Sequence, residues 1–259
     1  MTLPAALRNL ARHPSESAFV TDFDGTLAPI VDDPATAAPL SQSIEALRIL
    51  GAHLKVVAIV SGRPVAFLRS HLAIEGVEII GQYGLERLVD GHAVLDPRAE
   101  PYVDAVAAAA ASADRRWPEL NIERKGDIAF TVHWRTTPGS APRADDVAAL
   151  ADQHGLQVQP GRMACELRPA VPVDKGTAFA DLASDARYRA FAGDDDGDVA
   201  AFKVEFGPPD GGATVRIGVS SAEAPPELLD LADVVVDGPE GLAALLGDLA
   251  DAISPPEPR

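Results

Sequence analysis

The chain has 259 residues, of which 47% are hydrophobic and 24% are charged, as in a globular protein with one full core and room for a small second domain. With 22 basic and 39 acidic residues the formal net charge is −17, which argues against nucleic acid or an anionic membrane as the main partner. An anionic substrate would therefore need a local cationic side chain or a metal ion.

Strand and helix signals alternate over residues 1–96 and again over residues 170–259. This alternation predicts an α/β core with a doubly wound, Rossmann-like parallel sheet. Asp90-Gly91 predicts a tight hairpin turn within the first part. The predicted strands are 18–23, 55–60, 77–80, 188–192, 214–219 and 233–236. Helices are predicted after Ser41 or Ser43, after Pro64, and over 175–184, 198–206 and 240–253.

The period changes over residues 97–169, where the order of elements becomes α-β-β-α-β-β. This order predicts a small sheet backed by two helices, which we interpret as an α+β cap inserted into the core. Gly126-Asp127 and Pro160-Gly161 are the predicted turns. The predicted helices are 102–117 and 143–154, and the predicted strands are 122–125, 128–135, 156–159 and 162–168.

The first strand leads directly into Asp22-Phe23-Asp24-Gly25-Thr26. Open α/β sheets bind ligands at the carboxyl ends of their strands, which is where these two acids fall. Asp22 could attack a phosphorus atom and form an aspartyl-phosphate. Asp24 could protonate the leaving oxygen and then activate water. Taken alone, the motif is also compatible with an acidic turn or a divalent-ion loop.

Two further motifs could supply groups that bind phosphate, although Lys175 taken alone is also compatible with a solvated lysine. Ser61-Gly62-Arg63 follows the second strand, where Ser61 could bind a phosphoryl oxygen or cap the next helix. Lys175 begins a helix, an unfavourable place for a cation unless it neutralises a phosphate and the nucleophile.

The segment from Gly193 to Asp198 carries four acids in five positions after a buried strand. These carboxylates repel one another unless a cation is present. Mg²⁺ prefers oxygen ligands and is the predicted ion. A calcium loop is the alternative, but the segment lacks the later glutamate of such a loop.

Strand alternation divides the cap sheet into an apolar and a polar face. The polar face mixes donors and acceptors, which suits a polyhydroxyl ligand, although a solvated face fits the pattern equally well. Its predicted members are Glu123, Lys125, Thr131, His133, Arg135, Arg162, Glu166 and Arg168.

The order nucleophile, hydroxyl, lysine and metal acids resembles the haloacid dehalogenase-like superfamily. Further segments are similar to the trehalose-6-phosphate phosphatase family within it. These segments are Asp22 to Ile30 with Asp33-Pro34, Gly81 to Glu86, Glu123 to Gly126, His133-Trp134-Arg135, Gly161 to Pro169 and Asp174-Lys175-Gly176.

This resemblance implies Mg²⁺-dependent removal of phosphate from trehalose 6-phosphate. It implies that Asp22 is the nucleophile, Asp24 the acid/base and Lys175 a further catalytic group. It implies a metal site formed by Asp22, the Asp24 carbonyl and Asp194, supported by Asp198. The implied phosphate-binding residues are Thr26, Ser61, Gly62 and Lys175, and the implied sugar-binding residues are Arg63, Glu123, Lys125, His133, Arg162 and Glu166.

Three positions depart from the family pattern. Arg162 replaces a lysine, Tyr83 replaces a histidine, and Val199 follows Asp198 where a glutamate is usual. The sugar could therefore be another one, as in sucrose phosphate or glucosylglycerate phosphate. The sequence is also compatible with a non-catalytic sugar-phosphate sensor and with a mutase.

We expect a cytoplasmic protein whose partner is a small-molecule sugar phosphate. Cys165 is the one cysteine, so no internal disulfide can form. Residues 1–17 lack a secretory apolar region, and no apolar run is long enough to span a bilayer. A monomer is the simplest expectation.

Overall fold

A computed structural model describes residues 3–31, 33–161, 163–207, 212–222 and 224–254. The chain divides into two compact units. The first unit is Met1–His92 with Val173–Arg259, and the second unit is Ala93–Pro172. The assignment of residues 97–169 as a cap that selects the substrate stays a prediction.

Strands and helices are numbered here in chain order. The strands are β1 (Ser17–Thr21), β2 (Val56–Val60), β3 (Glu78–Gly81), β4 (Glu86–Val89), β5 (His92–Leu95), β6 (Asn121–Lys125), β7 (Ala129–His133), β8 (Leu156–Gly161), β9 (Ala164–Pro169), β10 (Tyr188–Gly193), β11 (Ala213–Ser220) and β12 (Val234–Asp237). The α-helices are α1 (Arg8–Arg12), α2 (Ser41–His53), α3 (Val65–Leu72), α4 (Val103–Arg116), α5 (Ala144–His154), α6 (Lys175–Leu182), α7 (Val199–Phe202), α8 (Pro226–Leu231) and α9 (Gly238–Ile253).

The larger sheet has the strand order β12-β11-β10-β1-β2-β3-β4-β5. Neighbouring strands from β12 to β3 are parallel, and β4 is antiparallel to β3. From β3 through β1 and β10 to β12 this is a doubly wound order, and its direction reverses between β1 and β10. The predicted α/β sheet is therefore confirmed, and its switch point lies between these two strands.

Strands β1 and β10 are buried along their whole length because apolar helices cover both faces of the sheet. Phe19 and Ile59 pack on one face with leucines of α2 and α9. Val20 and Val60 point to the other face, where they pack with phenylalanines of α6 and α7. This rigid core fixes the ends of β1 and β10.

Asp90 and Gly91 have φ values of 48° and 78°, as expected of a two-residue turn between β4 and β5. The predicted turn at Pro160-Gly161 is wrong, because β8 continues through both residues and pairs them with β9. A proline is tolerated there because β8 is an edge strand. Helix α7 is also shorter than predicted, and the short helices α1 and α8 were not predicted.

The second unit contains an antiparallel sheet of order β6-β7-β9-β8. Helices α4 and α5 cover its apolar face, which carries Phe130, Val132, Cys165 and Leu167. The α-β-β-α-β-β order of this unit agrees with the sequence pattern. Among the described residues, no helix has the length and apolar character needed to span a bilayer.

Candidate active site

Two aspartates emerge at the switch point of the large sheet. Asp22 directly follows β1, and Asp194 directly follows β10. The backbone N–H of Asp22 donates to the carbonyl oxygen of Ala192 at 2.9 Å, which extends the pairing of the two strands by one residue. Both carboxylates are therefore held by backbone pairing at the carboxyl edge, where such sheets bind ligands.

Lys175 is the first residue of α6 and lies among these acids. Its Nζ is 2.8 Å from Asp22 Oδ1, 2.8 Å from Asp198 Oδ1 and 3.6 Å from Asp195 Oδ1. The start of the helix is fixed by a capping box between Asp174 and Thr177. The lysine, only 2% exposed, therefore has acidic partners that offset its unfavourable place at a helix N-terminus.

Lys175 opposes the effect of burial on the pKa of Asp22, and the acids oppose the effect of burial on the pKa of Lys175. Burial raises the pKa of Asp22 well above its ordinary value, and Lys175 opposes that shift. Burial alone would lower the pKa of Lys175, but Asp195, Asp198 and Asp22 together raise it well above its ordinary value. Lys175 is therefore a permanent cation beside the predicted nucleophile.

Asp22, Asp194 and Asp198 each offer a carboxylate oxygen, and these oxygens lie within 4.8 Å of one another. Asp194 Oδ1 accepts a hydrogen bond of 2.6 Å from the Thr26 hydroxyl. Asp198 Oδ2 accepts the backbone N–H groups of Asp194 at 3.0 Å and Asp195 at 3.2 Å. Thr26, predicted to bind phosphate, thus contacts one of the predicted metal ligands.

These three carboxylates fit a hard divalent cation. All of the offered ligand atoms are oxygens, which Mg²⁺ prefers over nitrogen or sulfur. Burial raises the pKa of Asp194 to about 6 and that of Asp198 to about 7, so the group favours an added positive charge. Both oxygens of Asp198 already accept hydrogen bonds, which suits a supporting role more than direct ligation.

Gly25 allows the two acidic segments to approach closely. Its φ of +76° lies in the left-handed region, and a Cβ there would overlap the carboxylate of Asp194. Any larger residue at this position would therefore displace Asp194.

Asp24, the predicted acid/base, is held by Arg63. The guanidinium donates from Nε to Asp24 Oδ2 and from Nη2 to Oδ1, both at 2.7 Å. It also lies 4.4 Å from the centre of the Phe67 ring. This two-point contact fixes the orientation of the Asp24 carboxylate. Arg63 therefore contacts the predicted acid/base, and its predicted contact with the sugar stays a prediction.

The Ser61-Gly62 loop follows β2 and is closely packed. Tyr83 donates its backbone N–H to the Ser61 carbonyl at 2.9 Å, and the N–H of Arg63 donates to Ser61 Oγ at 3.2 Å. A Cβ on Gly62 would meet the ring of Tyr83 at 2.6 Å. Tyr83 itself has a φ of 60°, which is unusual for a residue other than glycine. The loop thus depends on a ring lying against a glycine.

The described residues of the second unit that were predicted to bind sugar form two pairs. His133 Nε2 is 2.7 Å from Glu123 Oε2, and Lys125 Nζ is 2.6 Å from Glu166 Oε2. Arg162, the remaining predicted member, lies outside the described residues.

A family model described as trehalose-phosphatase matches residues 20–223 of this chain. The chain belongs to the trehalose-phosphatase family. The match includes the whole second unit, most of the first unit and every predicted site residue, so the predicted resemblance is confirmed.

Two curated relatives of this trehalose-phosphatase family member come from mycobacteria. The trehalose-phosphate phosphatase of Mycobacterium marinum is 34% identical over 187 residues, which are 67% of this chain and 47% of that protein. An uncharacterized glycosyl hydrolase of Mycobacterium tuberculosis is 34% identical over 202 residues, which are 71% of this chain and 15% of that protein. The chain thus spans about half the length, or less, of these relatives.

Solved structures support the fold. The C-terminal domain of C. albicans trehalose-6-phosphate phosphatase has a TM-score of 0.71 at 22% identity, covering 96% of this chain and 97% of the other. A haloacid dehalogenase-like hydrolase from Bacteroides thetaiotaomicron has a TM-score of 0.60 at 15% identity, covering 90% of this chain and 98% of the other. The predicted haloacid dehalogenase-like core is confirmed.

Two residues near Asp22 and Ser61 in this trehalose-phosphatase family member were not among the predicted site residues. Asp195 contacts Lys175, and the acidic run that contains it was a signal for this contact. Tyr83 packs against Gly62, and the positions of these two residues in the sequence did not indicate that contact.

Proposed function

We propose that this chain is a Mg²⁺-dependent phosphatase that hydrolyses trehalose 6-phosphate to trehalose and phosphate. One observation carries the proposal. In a member of the trehalose-phosphatase family, the buried Asp22 lies 2.8 Å from the Lys175 ammonium and beside Asp194 and Asp198. The names of the mycobacterial relatives support the choice of substrate.

In the first step, a carboxylate oxygen of Asp22 attacks phosphorus in line with the sugar oxygen. The bond from phosphorus to the sugar oxygen breaks, and Asp24 gives its proton to that oxygen. The products of this step are trehalose and an aspartyl-phosphate on Asp22. Lys175 and Ser61 bind the oxygens of the transferring phosphoryl group, whose charge must be stabilised throughout.

In the second step, Asp24 takes a proton from a water molecule that attacks phosphorus. The bond from phosphorus to Asp22 breaks, which releases phosphate and restores the free carboxylate. A carboxylate held by the Arg63 fork is ready to accept a proton. Asp24 must loosen its contact with the Arg63 guanidinium before it can donate a proton. We therefore propose that Arg63 controls the orientation of Asp24.

Asp22, the Asp24 carbonyl and Asp194 would hold Mg²⁺, with Asp198 in support. When bound, the ion supplies charge stabilisation at the phosphoryl oxygens. The polar face of the second unit would supply the sugar contacts, through Glu123, Lys125, His133, Glu166 and the predicted Arg162. We expect the enzyme to act in the cytoplasm, where the buried thiol of Cys165 stays reduced.

The test is phosphate release from a panel of esters, measured with Mg²⁺ and after chelation with EDTA. The panel contains trehalose 6-phosphate, sucrose phosphate, glucosylglycerate phosphate, glucose 6-phosphate and p-nitrophenyl phosphate. We expect the highest kcat/KM for trehalose 6-phosphate, loss of activity in EDTA and its return when Mg²⁺ is added.

Equal kcat/KM values across the sugar esters would refute the proposed substrate. Full activity in EDTA would refute the proposed metal. No phosphate release from any ester would support a non-catalytic sensor, and phosphate moved to another position of the sugar would support a mutase.

A further inference from the structure

A row of polar side chains crosses the middle of the sheet in the second unit. Glu123 of β6 is opposite Thr131 of β7. Thr131 is opposite Glu166 of β9, which in turn is opposite Gln159 of β8. Side chains at directly opposed positions share one face of a sheet and lie close to each other. The Thr131 hydroxyl therefore belongs to the same surface as the two glutamates.

Two oxygens of this row have no hydrogen-bond partner among the described residues. They are Thr131 Oγ1 and Glu166 Oε1, and each residue is only 5% exposed. The second oxygen of Glu166 is bound to Lys125, and Glu123 is bound to His133. The flanking charges are thus paired, while the adjacent hydroxyl and carboxylate oxygen are not.

Buried polar atoms in folded proteins are nearly always hydrogen-bonded, and leaving them without a partner is unfavourable. Because Thr131 and Glu166 are directly opposed, a ligand hydroxyl placed between them could satisfy both atoms. It can donate its proton to the Glu166 oxygen, which only accepts, and can accept the proton of the Thr131 hydroxyl. Neighbouring ring hydroxyls of a sugar have this donor and acceptor pattern.

We propose that Thr131 is a specificity-determining residue that binds a sugar hydroxyl together with Glu166. This inference rests on the proposed sugar-phosphatase function. A site built to hydrogen-bond a hydroxyl discriminates strongly, because a ligand without that hydroxyl leaves its buried partners unpaired. Thr131 would therefore act on binding of the sugar and leave the chemistry at phosphorus unchanged.

The test compares the wild type with Thr131→Val, Thr131→Ala and Thr131→Ser on trehalose 6-phosphate and on p-nitrophenyl phosphate, which has no sugar. Valine keeps the shape of threonine and removes the hydroxyl, whereas serine keeps the hydroxyl. We expect Thr131→Val to lower kcat/KM for trehalose 6-phosphate by about 10-fold or more, mainly through KM. Its activity on p-nitrophenyl phosphate should stay within about twofold of the wild type, and Thr131→Ser should stay within about threefold on both esters.

An unchanged KM for trehalose 6-phosphate in Thr131→Val would overturn the inference. A fall in Tm with that unchanged KM would overturn it too, because the hydroxyl would then have an internal partner or a buried water. If Thr131→Val does not fold, Thr131→Ala must show the same rise in KM. Failure of the proposed function looks different, since the wild type itself would then either release no phosphate from both esters or show no preference for trehalose 6-phosphate over other sugar esters.

Discussion

The first and second units each contain a lysine bound to carboxylates, fully buried in the first and half-buried in the second, but the balance of charge differs. Lys175 contacts three acids, Asp22, Asp195 and Asp198. Lys125 pairs with Glu166, and the neighbouring Glu123 pairs with His133. The acids around Lys175 outnumber it, whereas Glu123 and Glu166 of the second group each contact a basic side chain.

This difference indicates different ligands. Buried carboxylates in excess of their basic partners favour a cation, because burial penalises each unpaired charge. Carboxylates that already contact basic side chains, beside the neutral hydroxyl of Thr131, suit a neutral polyol, because its hydroxyls both donate and accept hydrogen bonds. Under the proposed function, the group around Lys175 therefore suits phosphate and a metal ion, and the group around Lys125 suits a sugar.

The variant with the largest expected effect changes only the first unit. Asp22→Asn should lower phosphate release from every ester by at least about 10⁴-fold, because an amide oxygen is a poor nucleophile for phosphorus. Circular dichroism should show an unchanged fold. Asp196→Asn is the matched control, since Asp196 is an exposed acid in the neighbouring acidic segment and should retain activity. Activity in Asp22→Asn would contradict the proposed nucleophile.

A smaller effect should follow from Arg63→Lys. Lysine keeps the positive charge but loses the two-point contact to Asp24, so the acid/base is less well oriented. We expect kcat to fall by about 10-fold on both trehalose 6-phosphate and p-nitrophenyl phosphate. An increase in KM for trehalose 6-phosphate alone would instead support a sugar-binding role of Arg63. Kinetics on the two esters separate these results.

The mildest test concerns the charge balance of the second unit. Lys125→Met leaves the buried Glu166 without its cation and should lower stability by about 2 kcal/mol. Lys125→Met combined with Glu166→Gln should recover most of that loss, because no unpaired charge remains. Denaturant unfolding measures both variants against Glu166→Gln alone. Equal stability of Lys125→Met and the wild type would show that the pair contributes little.

The sequence predicted the fold of the first unit well because its parallel strands are continuous apolar runs that end in polar motifs. Asp22, Lys175 and Asp194 follow strand ends or begin a helix, so the topology of the sheet brings them together. Strand order could not predict that Thr26 contacts Asp194 or that Arg63 contacts Asp24. Their contacts depend on side-chain direction, which spacing along the chain does not specify.

The second unit shows the limit of periodicity. Alternation correctly divided β7 and β9 into two faces, but it placed a turn at Pro160-Gly161 where the strand continues. Turn composition did not reveal that β8 is an edge strand, because strand order is a property of the whole sheet. Nor did alternation indicate which polar side chains pair, as Lys125 does with Glu166.

The contact between Gly62 and Tyr83 has a consequence for how this chain can evolve. While the ring of Tyr83 occupies the space beside position 62, any side chain there must collide with it. A smaller residue at position 83 would have to appear first, and only then could position 62 change without disturbing the loop that carries Ser61. A side chain at position 62 is therefore tolerated only after the residue at position 83 has become smaller.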